Sequence, residues 1–261
     1  MLGFLLKKNF FDLWDNMLKI ALINLGFIIS AAITIFLPYA VINSPVWGGI
    51  VFFICILWCV LYTTAAAGTL KALSDYGTFS IADFISNLKT AWPQALVLAG
   101  LLFIILILMA VVTPFYLGMR SVTGLLLGVF IFWILVMAIL SLQFFLAGKD
   151  RLDTRYSKII KKCFIVFFDN PGFCIFVMIH NLFILIICLF PLFFLFPGPA
   201  GVLLFLDQGL RLRLLKYDWL QANAKTDTSS KKNIPWEEIL EEEKEKTGNR
   251  SFRGLIFPWK E

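Results

Sequence analysis

Long apolar runs, separated by short polar stretches, set the rhythm of this chain. Five of them cover about residues 20–42, 46–70, 94–117, 122–147 and 173–196. A bilayer core needs about 20 apolar residues per helix, so each run predicts a membrane helix. A sixth, shorter segment lies at about 200–215. Pro191, Pro197, Gly198 and Pro199 break the chain before it, and Asp207, Arg211 and Arg213 make its second half polar. Two forms are open to it: a short kinked crossing, or a re-entrant segment whose non-helical backbone is covered by protein.

The polar stretches have a pattern of their own. Ser80 with Asp83 predicts a capped helix start. Ile81, Phe84, Ile85, Leu88 and Trp92 then share one helix face, and Pro93 ends it. An earlier segment places Phe10, Leu13, Trp14, Met17 and Leu18 on one face, with Lys7, Lys8, Asp12 and Asp15 elsewhere. A later one has Leu152, Tyr156, Ile160, Cys163 and Phe167 as its stripe, with Lys158, Lys161 and Lys162 on the polar side. Such helices lie in the headgroup plane. The fold class expected is therefore all-α: a polytopic transmembrane bundle of about six membrane segments. They form three helical hairpins, each preceded by an amphipathic interfacial helix. Residues 1–216 make the transmembrane domain, and 217–261 a polar cytoplasmic tail.

Charge orients this scheme. With loops on alternate sides, only Arg120 of the 23 Lys and Arg faces outward. The positive-inside rule then puts both termini in the cytoplasm. Asp12 and Asp15 interrupt any signal-peptide n-region around Lys7 and Lys8, so the first apolar run is expected to be an uncleaved anchor. Sixty per cent hydrophobic residues, 28 of them Phe, exclude a soluble domain. The net charge of +6 borders membrane helices, where the bilayer is the partner, and is no nucleic-acid footprint.

The tail is different material. Residues 222–233 form a polar linker, and 236–246 carry six Glu with helical propensity, Glu242 and Lys246 being an i, i+4 pair. Ile239 and Leu240 alone are expected to be too little to hold this segment to a core. Pro-Trp motifs at Trp236 and Trp259, the latter beside Phe257, are rigid apolar anchors. Residues 234–261 are thus the candidate docking segment, for this protein's own cytoplasmic face, for the bilayer or for a partner protein.

Chemistry is sparse. With one His in the chain there is no zinc spacing and no His-Glu-x-x-His, and Gly-x-Ser-x-Gly is missing too. No metal and no cofactor is expected. The five Cys are read as small apolar residues, and Asp150 and Asp153 as a solvated face. Four polar residues fall inside the apolar runs: Asn24, Gln143, His180 and Asn181. At about 1.5 Å per residue, all four lie in the cytoplasmic half, as packing glue between helices or as a small polar binding pocket.

Asn24-Leu25-Gly26-Phe27, the exit Leu37-Pro38, and Thr64-Ala65-Ala66-Ala67-Gly68 followed by Tyr76, Phe79, Asp83-Phe84, Leu88-Lys89 and Gln94-Ala95 carry a resemblance. Over about residues 10–100 the chain resembles the YesL-like family of small bacterial membrane proteins, a family of unknown function. Leu88 stands where that pattern has an aromatic residue, and Trp92-Pro93 stands near its usual Asn. The resemblance implies a bacterial cytoplasmic membrane protein linked to carbohydrate uptake through its genomic neighbours, and it brings no catalytic residues. Two functions are expected from the residues. One is a non-enzymatic accessory, assembly or regulatory factor acting through its cytoplasmic face. The other is a small-molecule or lipid transporter using the polar cluster.

Overall fold

A computed structural model describes residues 1–40, 44–152, 155–223, 234–248 and 250, and within them all regular structure is helical. Helix α1 (Leu2–Asp15) leads into α2 (Met17–Ala40), which returns as α3 (Pro45–Ser74). Helix α4 (Ile81–Thr90) precedes an outgoing arm made of α5 (Trp92–Ile107) and α6 (Thr113–Leu117); α7 (Val122–Leu142) brings the chain back to α8 (Phe145–Arg151). Then come α9 (Tyr156–Asp169), α10 (Pro171–Ile187), α11 (Pro191–Leu195) and α12 (Gly198–Ala222). Two short helices, α13 (Trp236–Ile239) and α14 (Glu241–Thr247), lie in the tail.

Four helical stretches are long and apolar enough to cross a membrane: 17–40, 46–74, 92–117 and 122–151. A fifth arises only if α9 and α10, bent by 103° at their junction, act as one. These helices are compatible with a multi-pass membrane protein. Each local break has a sequence cause. Pro114 offers no N–H to the preceding turn, and there the arm widens into a π-helical turn at Leu108–Val112. The Thr113 backbone N–H and its hydroxyl both donate to Leu108 O, the hydroxyl at 2.8 Å, which closes this wider turn.

The three amphipathic helices are present as α1, α4 and α9, ahead of α2, α5 and α10. The start of α4 is a full capping box: Asp83 N donates to Ser80 Oγ at 3.3 Å, and Ser80 N to Asp83 Oδ2 at 2.7 Å. Those bonds to Ser80 hold the Asp83 carboxyl below the usual carboxylate range. The expected stripe of the first amphipathic segment is split: Leu13 is buried, while Trp14 and, at the start of α2, Met17 and Leu18 are exposed. The inward face of α1 is mixed, with Leu5 and Phe11 buried beside Lys8 and Asn9.

The core sits at one end of the bundle, called here the polar end. One buried cluster joins Leu5, Phe144, Phe145, Ile159, Val177 and Phe205; another joins Ile20, Ile23, Leu70, Ala200 and Leu204. Both run along α12, the most buried long helix. Away from this end, α2, α5 and α7 expose Ile35, Phe36, Leu102, Phe103, Phe130 and Trp133.

The expected third hairpin is the main departure. The run 173–196 is not one helix, because α10 stops at Ile187 and α11 starts at Pro191. Helix α12 is continuous from Gly198 but meets Asp207 after a rise of only about 13 Å, far short of a ~30 Å core. The tip of the hairpin rests on Asn24. The Asn24 Nδ2 donates to Leu195 O at 3.0 Å and Pro197 O at 2.8 Å, and Ala200 N donates to Asn24 Oδ1 at 2.9 Å. Beyond Asn24, α2 rises about 24 Å further, to Ala40. The α10–α12 hairpin thus reaches only part of the depth of α2. Gly198 fits this tip for two reasons: its φ is +60°, and a Cβ there would lie 2.4 Å from Asn24 Nδ2.

Candidate functional site

Helix α12 carries its polar residues into the polar end, where the ends of α1, α3 and α8 meet it. Asp207, 4 % exposed, accepts from Arg151 Nε at 2.8 Å and from Arg151 Nη2. The same guanidinium donates to Ser74 Oγ at 2.9 Å and Asp75 Oδ1 at 3.0 Å. Arg211, about one turn along α12, donates to Ser74 O at 2.8 Å and to Asp75 at 2.5 Å. The two arginines therefore hold the C-terminal end of α3, whose last carbonyls lack helical partners. On the other side of α12, Gln208 Nε2 donates to Asp12 Oδ2 at 2.7 Å. Asp12 also takes Lys8, 1 % exposed, at 2.8 Å. Burial pulls the Lys8 ammonium below its usual value and pushes the Asp12 carboxyl up, each opposed by the other's charge.

Tyr76 is the hub between this network and the tail. Its φ is +60°, a left-handed conformation that costs about 1 kcal/mol for a residue with a Cβ. The strain places its ring 3.5 Å below the Lys8 ammonium and 5.3 Å from the Arg211 guanidinium. Its hydroxyl donates to Glu243 Oε2 at 2.9 Å. Glu243 accepts from Arg211 Nη2 at 2.7 Å as well. Leu240, 2 % exposed, enters the main core cluster, with Trp236 packed against that cluster and 5.5 Å from the Arg213 guanidinium.

The tail segment is therefore held to the bundle. Ile239 and Leu240 do not hold it alone: Glu243 adds a buried ion pair, Tyr76 a hydrogen bond and Trp236 packing against the core, which is the docking on the protein's own surface that the sequence left open. Glu242 and Lys246 pair at 2.5 Å on the outside. Glu237, Glu238, Glu241 and Glu245 face away from the bundle around an open concavity of about 610 Å³. Phe257 and Trp259 lie outside the described residues.

The four intramembrane polar residues are placed separately. Asn24 clamps the hairpin tip. Gln143 Nε2 donates to Leu140 O at 2.7 Å and to Cys174 O at 3.1 Å, tying α7 to α10. His180 Nδ1 lies 3.3 Å from Asn181 Oδ1, and its ring stacks on Phe205 with centroids 3.7 Å apart. Among the described residues no hydrogen bond joins Asn24, Gln143 and the His180–Asn181 pair. Length explains this. The expected convergence assumed full crossings, whereas the short α10–α12 hairpin brings its tip, not His180, to Asn24.

A polar cavity of about 300 Å³ lies elsewhere, between α3, α4, α5, α8 and α9. Asp150, Lys149, Gln94, Asn87 and Thr64 line it. Asp150, expected on a solvated face with Asp153, is half-buried and lines this cavity; Asp153 lies outside the described residues. The Asp150 backbone oxygen accepts from Lys71 Nζ at 2.6 Å, while its carboxylate receives only a long 3.4 Å bond from Gln94 Nε2. Among the described residues no group of three or more His, Cys, Asp or Glu is placed to hold a metal ion.

In the sequence Arg151 carries no signal of its own, Glu243 is one of the six Glu of residues 236–246, and Lys8 and Asp150 read as solvated charges. The available signal was Asp207, an acid close behind an apolar run beside two arginines. Comparison of the chain with family models, with curated proteins and with solved structures finds no match.

Proposed function

We propose that this chain is a non-enzymatic accessory, assembly or regulatory factor of a bacterial cytoplasmic membrane, working through a cytoplasmic polar end. The side assignment follows from the Lys and Arg bias, and the bacterial setting from the family resemblance. The observation that carries the role is the union of α3, α8, α12 and the tail by ion pairs, with α1 tied to α12 by the Gln208–Asp12 hydrogen bond, into one preformed surface. Interaction surfaces gain affinity when they are rigid before binding. The outward acids of α13 and α14 give this surface a negative rim suited to a basic partner segment.

Transport through the Asn24, Gln143, His180 and Asn181 group has weaker support, since these side chains are bound to separate backbone groups rather than to one path.

The test is purification from native membranes in mild detergent. The full chain is compared with a variant carrying Gln at positions 237, 238, 241 and 245. The proposal expects a stoichiometric partner protein with the full chain and its loss from the variant, with unchanged melting. If both forms come out alone, or the partner stays on the variant, the proposal fails.

A further inference from the structure

We infer that the cavity beside Asp150 binds a compact zwitterion, its ammonium on the Asp150 carboxylate and its anionic group toward Lys149: the chemistry of phosphoethanolamine. This does not rest on the function proposed above.

The first observation is a carboxylate with no cation in ion-pair contact among the described residues, Lys71 and Lys149 acting on it from further off. Asp12, Asp75, Asp207, Asp169 and Glu243 at the polar end each have a cation within hydrogen-bond reach. Asp150 forms no ion pair among the described residues and keeps one long bond from an amide. A carboxylate packed against protein loses hydration, and its charge favours a cationic donor there.

The second observation is the direction of the neutral groups. The Thr64 hydroxyl donates to Val60 O at 2.8 Å, and the Thr90 hydroxyl to Ser86 O and Asn87 O at 3.2 Å. Asn87 spends a donor on Thr69 Oγ1 at 2.9 Å. The two hydroxyls thus offer acceptors to the cavity, while Asn87 keeps a second N–H. An ammonium set on Asp150 finds these hydroxyl oxygens as further acceptors.

The third observation sets the other end. Lys149 lies 5.6 Å from the Tyr156 ring centroid, and both residues line the cavity. A purely cationic ligand would meet Lys149 and a purely anionic one Asp150; a zwitterion satisfies both. At about 300 Å³ the space is at the small end of ligand sites. Gly68 keeps it open: a Cβ there would lie 3.8 Å from both Asp150 carboxylate oxygens and 3.8 Å from Asn87 Cγ, ordinary contacts that take up room without a clash.

This chemistry has two sources, a free solute and the headgroup of phosphatidylethanolamine. Calorimetry of the full chain in detergent uses free phosphoethanolamine. A parallel arm places the chain in nanodiscs of phosphatidylethanolamine or phosphatidylcholine and reads retained lipid by native mass spectrometry. Binding of the free compound assigns a solute site; selective retention of the lipid without it assigns a headgroup site. In either arm, Asp150→Asn weakens binding about tenfold or more, and Gly68→Ala weakens it at unchanged melting temperature. Phosphocholine, which has no N–H, binds at least about tenfold more weakly than phosphoethanolamine. The inference is overturned if neither arm shows binding, if inorganic phosphate competes as well as phosphoethanolamine, or if Asp150→Asn binds like the wild type. Should Asp150→Asn fail to fold, undiminished binding by Gly68→Ala overturns it alone.

Discussion

At the scale of single residues, what matters is whether a buried polar group has a replaceable partner. Asn24 satisfies three backbone groups at the hairpin tip, where no water-filled helix end is at hand. Asn24→Ala is expected to cost about 3 kcal/mol or more, because each buried orphan group costs about 1–3 kcal/mol. Gln143 differs, since its Oε1 has no partner and one of its donors goes to its own helix. Gln143→Leu is expected to stay within about 1 kcal/mol of the wild type. Denaturant titration in mild detergent compares the two, and equal losses would show that Asn24 is not the clamp. Lys8 and Asp12 give a second prediction. Asp12→Leu alone strands a buried ammonium and is expected to cost about 3–5 kcal/mol, whereas Lys8→Met with Asp12→Leu recovers most of that. A double variant as unstable as the sum of the singles would refute the pairing. The sequence showed Asn24 and Gln143 as alike; their difference lies wholly in which backbone groups stand opposite them.

Among the elements, the amphipathic helices were the most legible. The capping box of α4 and the proline at the start of α5 follow from local rules that need no distant partner. Which face of α1 turns inward was not legible, because a buried Lys8 beside Leu5 and Phe11 makes sense only where Asp12 and the Tyr76 ring receive it. The tail helices depend on distant residues even more. Their anchors are Leu240 and Glu243, and the sites for them come from Tyr76, Arg211 and the core around α12. Leu240→Ala with Tyr76→Phe is expected to free residues 234–248 without melting the bundle. Amide hydrogen exchange would then rise about tenfold or more over α13 and α14, with α2 and α3 unchanged. Exchange that rises across the whole chain would make the tail part of the global folding unit instead.

For the molecule as a whole, the depth of the third hairpin decides the topology. Four full crossings plus a re-entrant α10–α12 hairpin leave both termini on the same side, as six crossings do. Single cysteines introduced in a cysteine-free background separate the two. A membrane-impermeant maleimide added outside intact cells is expected to label Ser121→Cys and to leave Leu189→Cys untouched. Labelling at 189 equal to that at 121 would establish a full crossing.

This parity is why hydropathy and charge bias together stopped at six segments. Both are sums over local stretches, and a hairpin that turns back early leaves them unchanged. The sequence by itself determined the helical class, the long apolar arms, the elbow helices and the gathering of positive charge at one end. Each of these is set by residues within a few turns of one another. Only the tertiary structure decided that α12 is the most buried long helix, that Asn24 caps a hairpin tip, that the tail is docked, and that Asp150 lines a cavity. Those features pair residues tens to hundreds of positions apart, and a buried polar group reveals its role only through the partner that packing brings to it.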